Sequence, residues 1–356
     1  MSEMTEAPRV AAAPRLPGWA KPLAFALLPV LAALLAGALV LWALGSDPLN
    51  YYTYVVERGL LRTRGLQASI VHMIPLLILG TALIVSFRAG LWNLGIDGQY
   101  ILGTLTAGVV APKLVAVMPV VPALFLAMLA GAAVGALWAL PPALLRAKHG
   151  INEVISGLMM SFMATSLAAA IIKLWAKDPA SLEPQTSTIP VEQRLPLLPG
   201  TDINLGIVIA LVVTIAAHLA ISRTSAGLKL RILGLNPAAA THAGLPAPRM
   251  IVLVLCLSGA IGGFAGAVEL TGVLGKMQAS WNPAYGFAVV PLVFLARMNG
   301  WAMIAFVFAF SVLSIGGASA AVRLGVPQSF TMVLVGFLLL FLALAEWIDQ
   351  TRREQA

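Results

Sequence analysis

The sequence predicts an all-α polytopic membrane protein with about ten transmembrane helices, and three observations carry that prediction. Of its 356 residues 60% are hydrophobic and only 10% charged, with a mean hydropathy of +0.94, whereas a water-soluble globular chain carries roughly 25% charge. Apolar runs of about 20 residues, the length a bilayer requires of a helix, recur along the chain. No segment alternates with period two over about ten residues, which argues against an outer-membrane barrel. Two irregularities complete the fold class: a discontinuous region near 88–100 and a short helix near 236–244, between spans.

Taken in order, the apolar runs are 22–45, 68–87, 99–118, 120–145, 153–174, 205–222, 250–272, 286–297, 300–317 and 328–348. The first is longer than the roughly 7–15-residue core of a cleavable signal peptide, so it reads as a retained helix. The third is interrupted by Gly103, Gly108 and Pro112, and the eighth and ninth are short or broken by glycine, so nine or eleven spans fit nearly as well. The chain thereby divides into a tail 1–21, a transmembrane domain 22–348 and a tail 349–356.

Lysine and arginine orient the spans, because positive residues collect on the cytoplasmic side. Arg9, Arg15 and Lys21 place the first tail inside; Arg146 and Lys148 follow after an even number of crossings, and the loop 223–249 with Arg223, Lys229, Arg231 and Arg249 has no acid at all. The loop 175–204 then lies outside, where Asp178, Glu183, Glu192 and Asp202 outnumber Lys177 and Arg194. Both termini fall in the cytoplasm, with Arg352 and Arg353; Arg58, Arg62 and Arg64 in the first outer loop run against the bias. The formal charge of +8 is explained by contact with anionic lipid, without nucleic acid. Cys256, alone in an apolar helix, cannot form an internal disulfide and reads as inert core.

Polar residues at bilayer depth are costly unless paired or hydrated, so each is a candidate for a solute path. The densest group is Phe87-Arg-Ala-Gly-Leu-Trp-Asn-Leu-Gly-Ile-Asp-Gly-Gln-Tyr100. Its glycines break the helix, and irregular backbone survives in a membrane only when buried in protein or lining a watery cavity. Trp92, Asn93, Asp97 and Gln99 either meet a polar solute or tie down the broken turn, with Asp97 as a cap. Asn152 and Glu153 pose the same pair of readings: a helix cap and first-turn acid, or a solute contact. Met159, Met160 and Met163 read as adaptable packing.

Glu269 ends the seventh span and either faces outer water or serves as a gate or solute contact. Gly259, Gly262, Gly263 and Gly266 form two interleaved G-x-x-x-G pairs, repeated by Gly131 and Gly135, and read as close helix packing. His72 reads as a hydrogen-bonded structural histidine. Trp92, Tyr100, Trp281, Tyr285 and Phe287 could stack a flat ring, although interfacial anchoring suits Trp281 and Tyr285 equally.

Nothing in the chain binds ATP: beside Gly275-Lys276 a phosphate loop would need glycine at Leu270 and serine or threonine at Met277. No catalytic constellation or metal set is expected either. The stretch Phe87 to Gly103, the stretch Gly150-Ile-Asn-Glu-Val-Ile-Ser-Gly-Leu-Met-Met160 and the stretch Leu228-Lys-Leu-Arg-Ile-Leu-Gly-Leu-Asn-Pro-Ala-Ala-Ala240 together carry a family resemblance. They resemble permease subunits of bacterial ABC importers of the ribose and branched-chain amino-acid type. The nearest group is the nucleoside and simple-sugar permeases that work with a basic-membrane-protein-type lipoprotein receptor. Gly286-Phe-Ala-Val-Val-Pro-Leu-Val293 and Gly325-Val-Pro327 match more loosely. The family usually has Gly-Ile-Ala-Val-Ala-Leu-Leu-Gly and then Asn-Pro, where this chain has Val290, Pro291 and Arg297-Met-Asn-Gly300. The resemblance spans about residues 65–350.

That resemblance implies a multi-pass protein of the bacterial inner membrane with separate ATPase subunits, which bind the ATP and Mg. It also implies a second, paralogous permease subunit and a periplasmic or lipoprotein solute receptor. Arg231, Asn236, Pro237, Ala238, Ala239, Ala240 and Gly244 would form a cytoplasmic coupling helix gripped by the ATPase. Trp92, Asn93, Asp97, Gln99, Asn152 and Glu269 would line the substrate path. Nucleosides or purine-like bases lead as solutes, simple sugars follow and branched-chain amino acids trail. The competing class is an ion-coupled carrier, which would be expected to place several acids or histidines mid-span; only Asp97, Glu269 and His72 are candidates. A membrane enzyme or a channel lacks even those signatures.

Overall fold

A computed structural model describes residues 20–327 and 329–354, so most of the tail 1–21, with Arg9 and Arg15, lies outside the described residues. The described residues are mostly helical, and among them six helices are long and apolar enough to cross a membrane: Thr63–Arg88, Val120–His149, Glu153–Leu174, Gly206–Arg223, Ala247–Leu274 and Gly300–Leu324. In chain order the helices are α1 Ala20–Ala43, α2 Pro48–Val56, α3 Thr63–Arg88, α4 Ile96–Val115, α5 Val120–His149, α6 Glu153–Leu174 and α7 Gly206–Arg223. Then come α8 Ser225–Leu235, α9 Pro237–His242, α10 Ala247–Glu269, α11 Tyr285–Leu295, α12 Gly300–Leu324 and α13 Phe330–Glu354. Every apolar run read from the sequence falls on one of these helices. α13 runs on through Glu354, past the start of the tail expected from 349.

The sequence did not suggest α2, which Asp47 caps by accepting the Leu49 N–H at 2.9 Å, with Pro48 in the first turn. A single π-helical turn, Glu57–Leu61, then joins it to α3. The Arg62–Glu57 ion pair at 2.7 Å lies on the surface there, and it holds the Glu57 carboxyl below its ordinary range.

α3 is the buried axis of the bundle, with its residues from Met73 to Phe87 continuously buried. α4, α5 and α10 pack most tightly, on one another, and α10 carries that group against α3. The reason is glycine: a Cβ added at Gly131 would lie 2.8 Å from the Ala267 methyl, and one at Gly135 2.8 Å from the Gly263 Cα. Gly103 likewise lies directly against the Gly263 backbone. The small-residue motifs of the fourth and seventh runs therefore meet each other, and backbone packs on backbone where lipid supplies no hydrophobic drive.

α11 has only 11 residues, about 16 Å of rise, roughly half of a hydrocarbon core. Its two ends hold non-glycine residues in the left-handed region, Ala284 at φ 54, Arg297 at φ 50 and Met298 at φ 55. Such backbone is uncommon for these residue types and is held in place by its surroundings. The long loop 175–204 is irregular and stitched to the segment before α11: Thr186 N–H donates to Met277 O at 3.0 Å, Met277 N–H to Thr186 Oγ1 at 3.0 Å and Ala279 N–H to Pro184 O at 2.9 Å.

Candidate functional site

The break between α3 and α4 starts at Gly90, whose φ of 69 reverses the chain after Arg88. The Leu91 N–H then reaches back to Ser86 O at 3.0 Å, closing the end of α3. From there the chain folds back into the protein. Asn93 donates through Nδ2 to Ser258 Oγ at 2.9 Å, and Ser258 donates to Ala82 O at 2.8 Å, so Asn93 stands level with a residue six positions before the end of α3.

Asn93 and Gln99 form a reciprocal amide pair: Asn93 Nδ2 donates to Gln99 Oε1 at 2.9 Å and Gln99 Nε2 to Asn93 Oδ1 at 3.0 Å. Both are buried, as is Ser258. Ser161 adds a fourth contact by accepting the Gly98 N–H at 3.2 Å and donating to Leu94 O at 3.3 Å. In this conformation the polar residues of the break satisfy one another, which is what a buried irregular segment requires.

Asp97 turns the other way. Its Oδ1 accepts the N–H of Gly286, in the first turn of α11, at 2.7 Å. A carboxylate here satisfies a free N–H and complements the positive end of the helix dipole, so Asp97 caps a helix distant in sequence.

Trp92 is exposed and packs on Phe87 and Phe294, with ring centroids 5.0 and 5.4 Å away. Its backbone N–H donates to Glu153 Oε1 at 3.3 Å, and Glu153 pairs through Oε2 with Arg146 Nε at 3.2 Å. Trp92, Asn152, Glu153 and Arg146 share an open cleft of ≈ 590 Å³. Asn152 is exposed there and uses its Oδ1 to cap α6, accepting the Val154 N–H at 2.8 Å. The structure thus joins Trp92 and Asn152 at one surface cleft, apart from the buried Asn93–Gln99 pair, and gives Asn152 the capping role.

Glu269 does not face outer water: it is buried at the end of α10. Its carboxylate makes no hydrogen bond or ion pair among the described residues. One turn before it on α10, Gly266 lies directly against the backbone carbonyl of Tyr100. Tyr100 in turn packs against Trp281 and Tyr285, with centroids at 5.8 and 5.9 Å, and Tyr285 packs edge-on against His72 at 5.5 Å. His72 reaches Ser311 Oγ at 3.4 Å.

At the opposite end, Asn236 accepts the N–H groups of Ala238 and Ala239, each at 3.0 Å, with Pro237 at the first position of α9. The helix closes with the Gly244 N–H on Thr241 O and the Leu245 N–H on Ala240 O, each at 3.0 Å, with Gly244 at φ 78. Pro237, Ala238, Ala239 and Gly244 are exposed, and Arg231 on α8 donates to Ile221 O at 3.3 Å. Ala240 is fully buried, because the short helix turns that position toward the protein's own interior.

Ser258 went unread in the sequence, as did Gly286 as a backbone donor. Ser258 carried a signal, a lone hydroxyl in an apolar run beside Gly259; a backbone N–H carries none.

The family model described as "Branched-chain amino acid transport system / permease component" matches residues 65–343. The chain is similar to the glucose ABC transporter permease protein TsgB13 of Haloferax volcanii, 31% identical over 91% of this chain and 88% of that one. It is similar also to the guanosine ABC transporter permease protein NupP of Bacillus subtilis, 28% identical over 91% of this chain and 94% of that one. The nucleoside ABC transporter permease protein NupB of Lactococcus lactis is 26% identical over 89% of both.

Proposed function

The chain belongs to the family of permease components of branched-chain amino acid transport systems, and from that premise we propose that it forms half of a solute path in an ATP-driven importer. The observation that carries this reading is the match over residues 65–343, which takes in both the broken segment at 88–96 and the capped helix α9. We place the membrane domain at 22–348 with ten crossings and the tails 1–21 and 349–356 in the cytoplasm. The acid-free segment 223–249 supports that side for α9.

In this reading α9 is the coupling helix. A separate ATPase subunit, holding ATP and Mg, seats against Ala238 and Ala239, and a paralogous permease and a solute receptor complete the assembly. Movement of α9 reaches the broken segment through α8, whose Gly234 lies against Gly90: a Cβ on Gly234 would stand 2.7 Å from Arg88 O and 2.9 Å from Gly90 N. Arg88 also donates to Met298 O at 3.1 Å, tying the same point to the strained turn after α11. Interfaces packed this closely switch between arrangements rather than deform. The Asn93–Gln99 pair and the Asp97 cap are the contacts such a switch would remake.

The relatives named for glucose, guanosine and nucleosides support a small polar solute, with nucleosides foremost. Vesicles containing the whole transporter test this directly: uptake of guanosine or glucose should require ATP and the ATPase subunit. Concentration of solute by this chain alone, driven by an ion gradient, would replace this reading with an ion-coupled carrier.

A further inference from the structure

We infer that the ring of the solute is held by Tyr100, Glu269, Trp281 and Tyr285, and that this group takes a flat heteroaromatic ring bearing an N–H donor, a nucleobase in chemical class. The inference rests on the reading of the chain as a solute permease and assigns that solute a place distinct from the Asn93–Gln99 pair.

Two buried polar groups here lack partners. Tyr100 is fully buried, and its hydroxyl has no hydrogen-bond partner among the described residues. The carboxylate of Glu269, also buried, makes none either among the described residues, and one turn before it on α10 Gly266 lies directly against the backbone carbonyl of Tyr100. Buried hydroxyls and carboxylates are nearly always paired in folded proteins, because leaving them unpaired is costly. A site that binds and releases a polar ligand is where such groups are kept unpaired. By contrast, the Asn93–Gln99–Ser258 group is already satisfied by its own members.

The surroundings specify the ligand. Tyr100, Trp281 and Tyr285 offer three rings with neighbouring centroids at 5.8 and 5.9 Å, suited to stacking and edge contacts with a planar ring. The Glu269 carboxyl can accept a ligand N–H, and the Tyr100 hydroxyl can donate to a ring nitrogen or carbonyl. Trp281 lies on the irregular segment before α11, three residues from Ala284, which is held at φ 54. That segment is fastened to the loop 175–204 at Thr186 and Pro184. Gln185, buried beside this seam, has a further unpartnered oxygen, Oε1.

The test uses the whole transporter, this chain with its partner subunits, in phosphatidylethanolamine and phosphatidylglycerol vesicles, with uptake of labelled guanosine and of glucose measured separately. Wild type should take up guanosine. Tyr100→Phe and Glu269→Leu should each raise the KM for guanosine about ten-fold, as expected for one lost hydrogen bond, with a smaller effect on maximal rate. Trp281→Ala should raise it by at least as much. Unchanged KM in Tyr100→Phe and Glu269→Leu overturns the site. Wild-type uptake of glucose without guanosine overturns the ligand class. Wild-type uptake of neither solute overturns the permease reading itself, a separate failure. Should Glu269→Leu not assemble, Tyr100→Phe decides, since it removes one oxygen and keeps the ring.

Discussion

The carboxylate of Asp97 accepts the backbone N–H of Gly286 at 2.7 Å across 189 residues of sequence. It joins the broken segment before α4 to the half-length helix α11, and a Cβ at Gly286 would stand only 2.8 Å from that carboxyl. The absence of a side chain at Gly286 therefore lets an accepting oxygen at Asp97 reach the backbone N–H.

Replacing Asp97 with Leu removes the cap and leaves a buried N–H unpaired. Thermal unfolding in detergent should show a loss of about 1–3 kcal/mol, with Asp97→Asn retaining much of the stability because its oxygen still accepts. Equal stability of Asp97→Leu and wild type would refute the cap.

The Asn93–Gln99 pair should behave as a unit. Asn93→Leu and Gln99→Leu singly strand a buried amide and should each cost about 1–3 kcal/mol. The double variant should cost less than their sum, a coupling of about 0.5–3 kcal/mol in a double-mutant cycle. Additive losses would mean that the two amides act independently.

Gly263 packs its backbone on Gly131 and Gly135. Gly263→Leu should abolish recovery of monodisperse protein, since the clash involves backbone on both sides. Gly336→Ala in α13, where an added Cβ meets nothing within 4 Å, should leave recovery unchanged. Normal folding of Gly263→Leu would contradict the close α5–α10 approach.

On the cytoplasmic side of the proposed assembly, Ala239→Trp should uncouple ATP hydrolysis from uptake while folded protein is retained, because Ala239 is exposed. Ala240→Trp should instead reduce folded protein, because that position is buried. Undiminished uptake by Ala239→Trp would count against α9 as the ATPase contact.

Gly234→Val should impair uptake through its contact with Gly90, with the ATPase still bound. Wild-type uptake in that variant would break the proposed route from α9 to the broken segment.

Composition and run length determined by themselves that the chain is a helical membrane protein, since both follow from the bilayer acting as solvent and are local along the sequence. The glycine motifs announced close packing, and Asn236, Pro237 and Gly244 announced α9, because a cap, a first-turn proline and a left-handed glycine act within a few residues. Only the tertiary structure decided that Asn93 pairs with Gln99 and Ser258, that Asp97 caps α11 and that Ala240 points inward. Each of these depends on which groups stand within 3 Å after folding, and hydrogen bonds between distant segments leave no periodicity for a sequence to display.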